Sequence, residues 1–243
     1  MSQTVSGRKT VLEALKSPQS IRKIAILYGT RGKVIDDIRH QARRVGVPVA
    51  EVDKQKFAQI ADVATAQGVA AIVESTEFVE IEDLLDRAKQ SGSSPRVLIL
   101  DEIEDPHNLG ALIRTAECAG FHGVILTRHH SAGISGTVAK ASAGASLHLP
   151  AARVANIAQT IDLLKEHGLW IIGTDERGEK RYDEIDYSGG IAVVVGNEGR
   201  GIRRLVKEKC DFLVSIPVFG AVKSLNASVA GALVMYETVR KRR

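Results

Sequence analysis

From Arg96 onward the chain alternates short apolar runs with amphipathic stretches, and this alternation limits the fold more than any other feature. The runs at 97–100, 123–126, 169–173, 192–195 and 212–216 read as strands. Between them, helices are predicted over 106–119, 137–144, 157–167 and 200–209, with a last one over 225–240. Apolar strands separated by helices imply an α/β domain with a mostly parallel sheet covered on both faces.

The first 75 residues follow a smaller version of the same plan. A short helix is predicted over 7–16, with Val11, Leu12 and Leu15 forming its apolar stripe. A β-branched run over 24–28 ends at Gly29 and reads as a strand. The stretch 33–45 reads as a basic amphipathic helix, with Val34, Ile38 and Ala42 facing inward and Arg39, Arg43 and Arg44 outward. Strands over 47–52 and 69–74, with a helix over 54–61 between them, complete a three-strand α/β sandwich. A domain of this size can fold alone on a modest core. An acidic stretch over 77–87 reads as a short helix, and Gln90-Ser-Gly-Ser-Ser-Pro95 is rich in turn formers. The expected organisation is a first domain over 1–75, a connector over 76–95 and a second, larger domain over 96–243.

Composition narrows the class. With 44% hydrophobic and 26% charged residues the chain is an ordinary globular one. No apolar run approaches the roughly 20 residues that cross a bilayer, and the first residues lack the apolar core of a secretory signal. A cytoplasmic location with no membrane partner is expected. Cys118 and Cys210 suit neither a disulfide framework nor a metal site, and buried free thiols are expected. His129 and His130 are neighbours rather than helical i,i+4 ligands, so no metal is expected. Residues 1–74 hold 12 Lys and Arg against 7 Asp and Glu, whereas 96–243 hold 19 against 17. A second basic cluster closes the chain at Arg240-Lys241-Arg242-Arg243. A basic module beside a nearly neutral one suits a polyanion-binding unit attached to a catalytic one. On charge alone, a merely solvated surface fits as well.

Three segments of the second half carry polar residues where strands give way to loops, which is where ligands bind in open α/β sheets. In the first, Asp105 and Pro106 open a helix containing Asn108 and Arg114. Arg114 falls among Ala111, Leu112, Ile113 and Ala116, so it is either a surface residue or a buried guanidinium that needs a partner. Asn108 and Arg114, six apart, do not share a helix face. In the second, Val195-Gly-Asn-Glu-Gly-Arg-Gly201 lacks the glycine order of a dinucleotide site and the Lys-Ser/Thr of a phosphate-binding loop. That argues against hydride transfer and nucleotide hydrolysis. Gly196 allows backbone to approach a flat ligand, and Glu198 is a turn residue or a site carboxylate. In the third, a strand ends at Ile216-Pro217, and Ser224 is placed to cap a helix that begins Leu225-Asn226-Ala-Ser228.

Taken in chain order, Asn108…Arg114, Gly196-Asn-Glu198-Gly and Ser215-Ile216-Pro…Ser224-Leu-Asn226-Ala-Ser228 resemble the three motifs of the SpoU (TrmH-like) RNA methyltransferases. The resemblance covers about 150 residues. The layout of the first part, with its Gly-Arg-Lys-x-Val start, is similar to the RNA-binding domain of the RlmB-like subgroup. That subgroup methylates a guanosine ribose in large-subunit (23S) ribosomal RNA.

The resemblance implies a catalytic domain tied in a trefoil knot, which general rules of chain topology would not suggest. It also implies S-adenosylmethionine as cofactor, RNA as substrate, and a homodimer with shared active sites. Gly196, Ile216 and Leu225 are then expected to line the cofactor pocket. Asn108, Arg114, Glu198, Ser224 and Asn226 are expected around the ribose, with Ser228 a weaker candidate. Asn197, Arg200 and Lys223 depart from the family pattern beside these positions. Because an arginine side chain does not deprotonate in proteins, Arg114 suits the role of a fixed cation rather than a base. The proton acceptor is left open between Glu198 and water. A transfer-RNA target and a non-catalytic ribosome-assembly factor are the alternatives. The 96–243 segment alone is expected to bind cofactor but methylate RNA poorly.

Overall fold

The computed structural model describes residues 2–17, 21–74 and 77–241. The expected boundary at residues 75 and 76, and Arg242 and Arg243 of the basic cluster, lie outside the described residues. The chain divides into two compact units, Met1–Glu77 with Gly133–His148, and Phe78–Ala132 with Leu149–Arg243.

The first unit begins with β1 (Ser2–Ser6), α1 (Arg8–Ala14), β2 (Ile21–Leu27) and α2 (Lys33–Arg44). It continues through β3 (Val49–Val52), α3 (Lys54–Ala58) and β4 (Val69–Glu74). These strands form a four-stranded sheet in the order β1-β4-β2-β3, with only the β2–β3 pair parallel. The three-strand expectation missed β1. Gln3 and Thr4 are polar, and the strand is visible only through its antiparallel register with β4, from Ser2 opposite Glu74 to Ser6 opposite Ala70. As the periodicity of α2 requires, Ile35, Ile38 and Ala42 are buried on its inner face with Val11, Ile24 and Val73.

The second unit contains α4 (Ile81–Gln90), β5 (Arg96–Asp101), α5 (Pro106–Cys118) and β6 (Gly123–Thr127). The next helix, α6 (Gly136–Ala141), and the 3-10 turn Ala145–Leu147 belong to the first unit instead. There Ala139 and Leu147 share the core of Val5 and Val11, and Lys140 Nζ donates to Thr65 O at 2.7 Å. A Cβ on Gly136 would come within 2.1 Å of Thr4 O, so glycine is required for this approach. A 96–243 fragment would therefore leave 133–148 without its packing partner. The second unit resumes with β7 (Ala151–Val154), α7 (Ile157–Glu166), β8 (Leu169–Thr174) and β9 (Lys180–Arg181). It ends with β10 (Gly190–Gly196), α8 (Arg204–Lys209), β11 (Phe212–Ser215) and α9 (Ala227–Arg240).

The seven strands are ordered β7-β6-β5-β10-β8-β11-β9, and every pairing is parallel. Ile99, Ile125, Ala192 and Val194 pack on one face against Ile157, Ile161 and Leu164 of α7. Leu84 and Leu85 of α4 join the same core, and Val79 bridges to Ala152, so much of the expected connector is structural. Its helix is closed at the start by a reciprocal cap between Glu80 and Asp83. On the opposite side α9 packs against α5 and β10. A Cβ on Gly231 would lie 2.6 Å from Leu112 and 2.9 Å from Val195.

Three local expectations are corrected. The helix expected from residue 200 begins at Arg204, because Asn197 and Gly201 exchange backbone hydrogen bonds and close the preceding loop. The last helix begins at Ala227, and its N-cap is Asn226 rather than Ser224. Cys118 is exposed and Cys210 half-buried. Burial pushes the Cys210 thiol up to about 12, and its Sγ donates to Val206 O at 3.3 Å.

Candidate active site

The carboxyl ends of β5, β8, β10 and β11 lie along one rim of the parallel sheet, and the polar residues singled out above gather there. Asp105 caps α5 by accepting from His107 N at 3.1 Å and Asn108 N at 3.3 Å. This places Asn108 in the first helical turn, with only 7% of its surface exposed. Its Nδ2 donates to Glu198 Oε1, and its Oδ1 accepts from Asn226 Nδ2 at 3.1 Å. Asn226 Nδ2 also donates to Glu198 Oε1 at 2.9 Å. Three residues from three distant segments thus form a closed ring of hydrogen bonds. Asn226 has a second duty, since its Oδ1 accepts from Ser228 N at 2.9 Å and Val229 N at 3.3 Å to cap α9. Ser228 is drawn into this cap, donating from Oγ to the same oxygen at 2.6 Å.

The Glu198 loop is held from both sides. Asn197 Oδ1 accepts from Gly199 N at 3.0 Å and Arg200 N at 3.3 Å, while its Nδ2 donates to Glu102 O at 2.9 Å. Arg200 bridges Glu102 and Glu104, each at 3.3 Å. The fully buried carboxylate of Asp101 is held by Arg203, whose Nη2 lies 2.6 Å away. Asn197 and Arg200 therefore fix the loop itself.

Beside this ring opens a cavity of about 710 Å³, within the range of small-molecule sites. Gly196, Glu198, Ile216, Ser224 and Leu225 line it, as does Lys223. Gly196 serves the fold as well as the cavity. A Cβ there would lie 2.3 Å from Gly201 C and Ile202 N, so its bare backbone permits the loop closure. Two lining groups escaped the sequence reasoning, the 174–177 segment after β8 and Lys207 of α8. The position of Thr174-Asp175 at a strand end was the available signal. Asp175 pairs with Lys207 at 2.5 Å. Burial alone would raise the Asp175 carboxyl, but the Lys207 ammonium and the Arg177 backbone N–H outweigh it and hold the group below its ordinary value.

Arg114 does not join the ring. It is exposed on α5 and makes no hydrogen bond or ion pair among the described residues, so within one chain the surface alternative describes it. The adjacent helix exposes Val229 at 47%, Leu233 at 38% and Tyr236 at 50%, an apolar stripe at helical spacing. Among the described residues no helix is long and apolar enough to cross a membrane, and no group of three His, Cys, Asp or Glu side chains is placed to hold a metal.

A wholly parallel sheet with a ligand-sized cavity at its carboxyl rim and a polar ring beside it is the arrangement of an α/β protein with a small-molecule site. Residues 95–236 match the SpoU rRNA Methylase family, and residues 4–79 match the family described as RNA 2'-O ribose methyltransferase substrate binding. A Bacillus subtilis protein named as a TrmH family tRNA/rRNA methyltransferase, YacO, is 42% identical over 98% of this chain and 95% of its own length. The AdoMet-bound rRNA methyltransferase of Sinorhizobium meliloti superposes with a TM-score of 0.78 at 28% identity, over 98% of this chain and 87% of that one. The SpoU methyltransferase AviRb from Streptomyces viridochromogenes shares the fold with a TM-score of 0.84 at 24% identity, over 99% and 90%.

The chain belongs to the SpoU rRNA methylase family. It is an S-adenosylmethionine-dependent RNA 2′-O-ribose methyltransferase. The cavity suits that cofactor chemically. Val195, Ile216, Leu225 and Ala230 offer apolar surface for a flat base, the strand ends offer backbone donors and acceptors, and Asp175 and Glu198 offer negative charge to a sulfonium.

Proposed function

We propose that this protein methylates a guanosine ribose in large-subunit (23S) ribosomal RNA, as the RlmB-like subgroup does, and that it works in the cytoplasm as a homodimer. The observation that carries the reading is the Asn108–Glu198–Asn226 ring, whose Glu198 lines the cavity. S-adenosylmethionine supplies a methyl group already activated by its sulfonium charge. The protein's remaining task is to hold the ribose hydroxyl in line and manage its proton. Both amide donors of the ring reach Oε1 of Glu198, which leaves Oε2 as the acceptor for the hydroxyl proton, directly or through water. Gly196, Ile216 and Leu225 hold the cofactor, and Ser224 orients the ribose from the cavity wall.

Arg114 enters from a second copy of the chain. Its exposure beside the apolar stripe of α9 is what a two-fold interface would cover, with each Arg114 delivered to the partner's cavity as a fixed cation. The knotted passage implied by the family belongs to the segments that wall the cavity. There Gly196 and Gly178 already bring backbone against backbone, since a Cβ on Gly178 would sit 2.5 Å from Val214 C. The separate substrate-binding unit favours a large, structured RNA over a transfer RNA. Incubation of the purified protein with methyl-labelled S-adenosylmethionine and either ribosomal RNA or transfer RNA tests the proposal. Label in a guanosine 2′-O position of the large ribosomal RNA is expected, and label confined to transfer RNA would overturn the target.

A further inference from the structure

The first unit carries the substrate-binding match, yet nothing above says which of its faces meets RNA or how. Its end at residues 7–9, 28–33 and 67–68 combines an exposed aromatic with several exposed cations. Tyr28, at the end of β2, is a large aromatic with 62% of its surface exposed, whereas Phe57 of the same unit is fully buried. The residues that follow are Gly29-Thr-Arg31-Gly-Lys33, and Arg31 and Lys33 are both exposed.

The three segments are locked together. Arg8 N donates to Gln67 Oε1 at 3.1 Å, and Arg8 Nε donates to Gln67 O at 3.3 Å. This aims the guanidinium at the 28–33 loop, where Nη1 would lie 3.6 Å from a Cβ on Gly32. Thr30 is pressed so closely on Gly68 that a Cβ there would meet its Oγ1 at 2.4 Å. The loop carrying Tyr28 and Arg31 is thus held on a rigid base.

Positive charge gathers around the exposed ring. On the body of the unit Arg39 pairs with Glu51 and Arg22 with Glu74, while Arg43 and Arg44 at the end of α2 are exposed. Among the described residues, Arg8, Lys9, Arg31 and Lys33 make no ion pair. The nearest acids in the sequence are Asp36 and Asp37, a turn further along α2, and Glu13, which pairs with Lys16.

Accepting RNA as the substrate, we infer that Tyr28 is a stacking platform for an unpaired RNA base, with Arg8, Arg31 and Lys33 holding the flanking phosphates. An exposed ring among uncompensated cations suits single-stranded or looped RNA, whose bases are free to stack, better than duplex. The oriented fork of Arg8 matches phosphate oxygens.

The test uses the full-length protein, with a fluorescein-labelled RNA hairpin bearing an unpaired loop and a blunt RNA duplex as probes. Tyr28→Ala is expected to weaken hairpin binding about 10-fold or more, as loss of one base–aromatic stack does, and to leave duplex binding unchanged. Tyr28→Phe should bind the hairpin like wild type. Arg8→Ala and Arg31→Ala should each weaken both probes and flatten the salt dependence of binding by about one counterion. Thermal unfolding, read in parallel, should match wild type for the Tyr28 and Arg31 variants, and S-adenosylmethionine affinity should match for all. Equal hairpin affinity of wild type and Tyr28→Ala overturns the stacking role while leaving the methyltransferase reading intact. A wild-type protein that binds neither probe overturns the RNA-binding role of this face.

Discussion

Asn226 donates to Glu198 at 2.9 Å while its own carbonyl oxygen caps α9, so one carboxamide ties the start of the last helix to the loop after β10. The two duties can be separated. Asn226→Asp keeps an oxygen for the cap but replaces the amide donor with a carboxylate facing Glu198. Repulsion between the two carboxylates should lower its melting temperature at neutral pH although the cap is kept, whereas Asn226→Ala should lose about 1 kcal/mol of stability with the cap. Both should slow single-turnover methyl transfer by roughly 100-fold or more, the scale for losing a preorganised polar contact. Wild-type turnover in Asn226→Asp would show that the ring is architectural only.

Gly196 and Gly199 frame the same loop, but only one resists a side chain. A methyl on Gly196 would strike the Gly201–Ile202 backbone, whereas on Gly199 the nearest atom, Asn197 Oδ1, is 3.7 Å away. Gly196→Ala is expected to cost about 1–3 kcal/mol, and cofactor affinity should fall with it. Gly199→Ala should be close to wild type in both. Thermal unfolding and calorimetric titration with S-adenosylmethionine would reveal a Gly196→Ala protein of unchanged stability, which would sink this explanation.

The ion pair of Asp175 with Lys207 gives a pH signature. The carboxyl is held below its ordinary value of 3.8, so the pair's stabilisation is complete above that value and disappears as pH falls through the lowered one. Lys207→Met should therefore destabilise the protein by about 1–2 kcal/mol at neutral pH. The gap from wild type should close in acid, once Asp175 is protonated in both. Melting curves across pH that stay parallel would contradict the assignment.

Much of this architecture is legible in the sequence, and the exceptions have physical causes. The β5, β6, β8, β10 and β11 runs are apolar because both faces of a parallel sheet are covered. The two-residue β9 leaves no periodicity to read, and Ala151-Ala-Arg-Val154 of β7 has little β-branched character. Residues 133–148 pack with the first unit, which depends on contacts remote in sequence such as Gly136 against Thr4. At the site, Gly196, Glu198, Ile216, Ser224 and Leu225 line one cavity, and Asn108 meets Asn226. Asp175 and Lys207 were missed because each resembles a surface charge until folding pairs them. The exposure of Arg114 was hidden by its apolar neighbours, since residues adjacent on a helix face different sides.

If Arg114 serves the partner's cavity, lesions in different chains should complement. Arg114→Ala and Asn226→Ala homodimers should each be nearly inactive. In a co-refolded equal mixture, heterodimers carry one site with both lesions and one with neither. About a quarter of wild-type methyl transfer should return, since random assortment makes half of the dimers heterodimers with one good site each. Subunit exchange is checked with differently tagged chains. No recovery in an exchanged mixture would place Arg114 and Asn226 in the same site or show that both sites must be intact.

The central claim is ribose methylation of a large-subunit ribosomal guanosine by the Asn108–Glu198–Asn226 site. Nucleotide-resolution mapping of 2′-O-methylation, in RNA from cells lacking this protein, tests it most directly. One guanosine of the large-subunit ribosomal RNA should lose its methyl group, regain it with the wild-type chain, and stay unmethylated with Asn226→Asp. A loss confined to transfer RNA, an unchanged methylation map, or full restoration by Asn226→Asp would contradict the account.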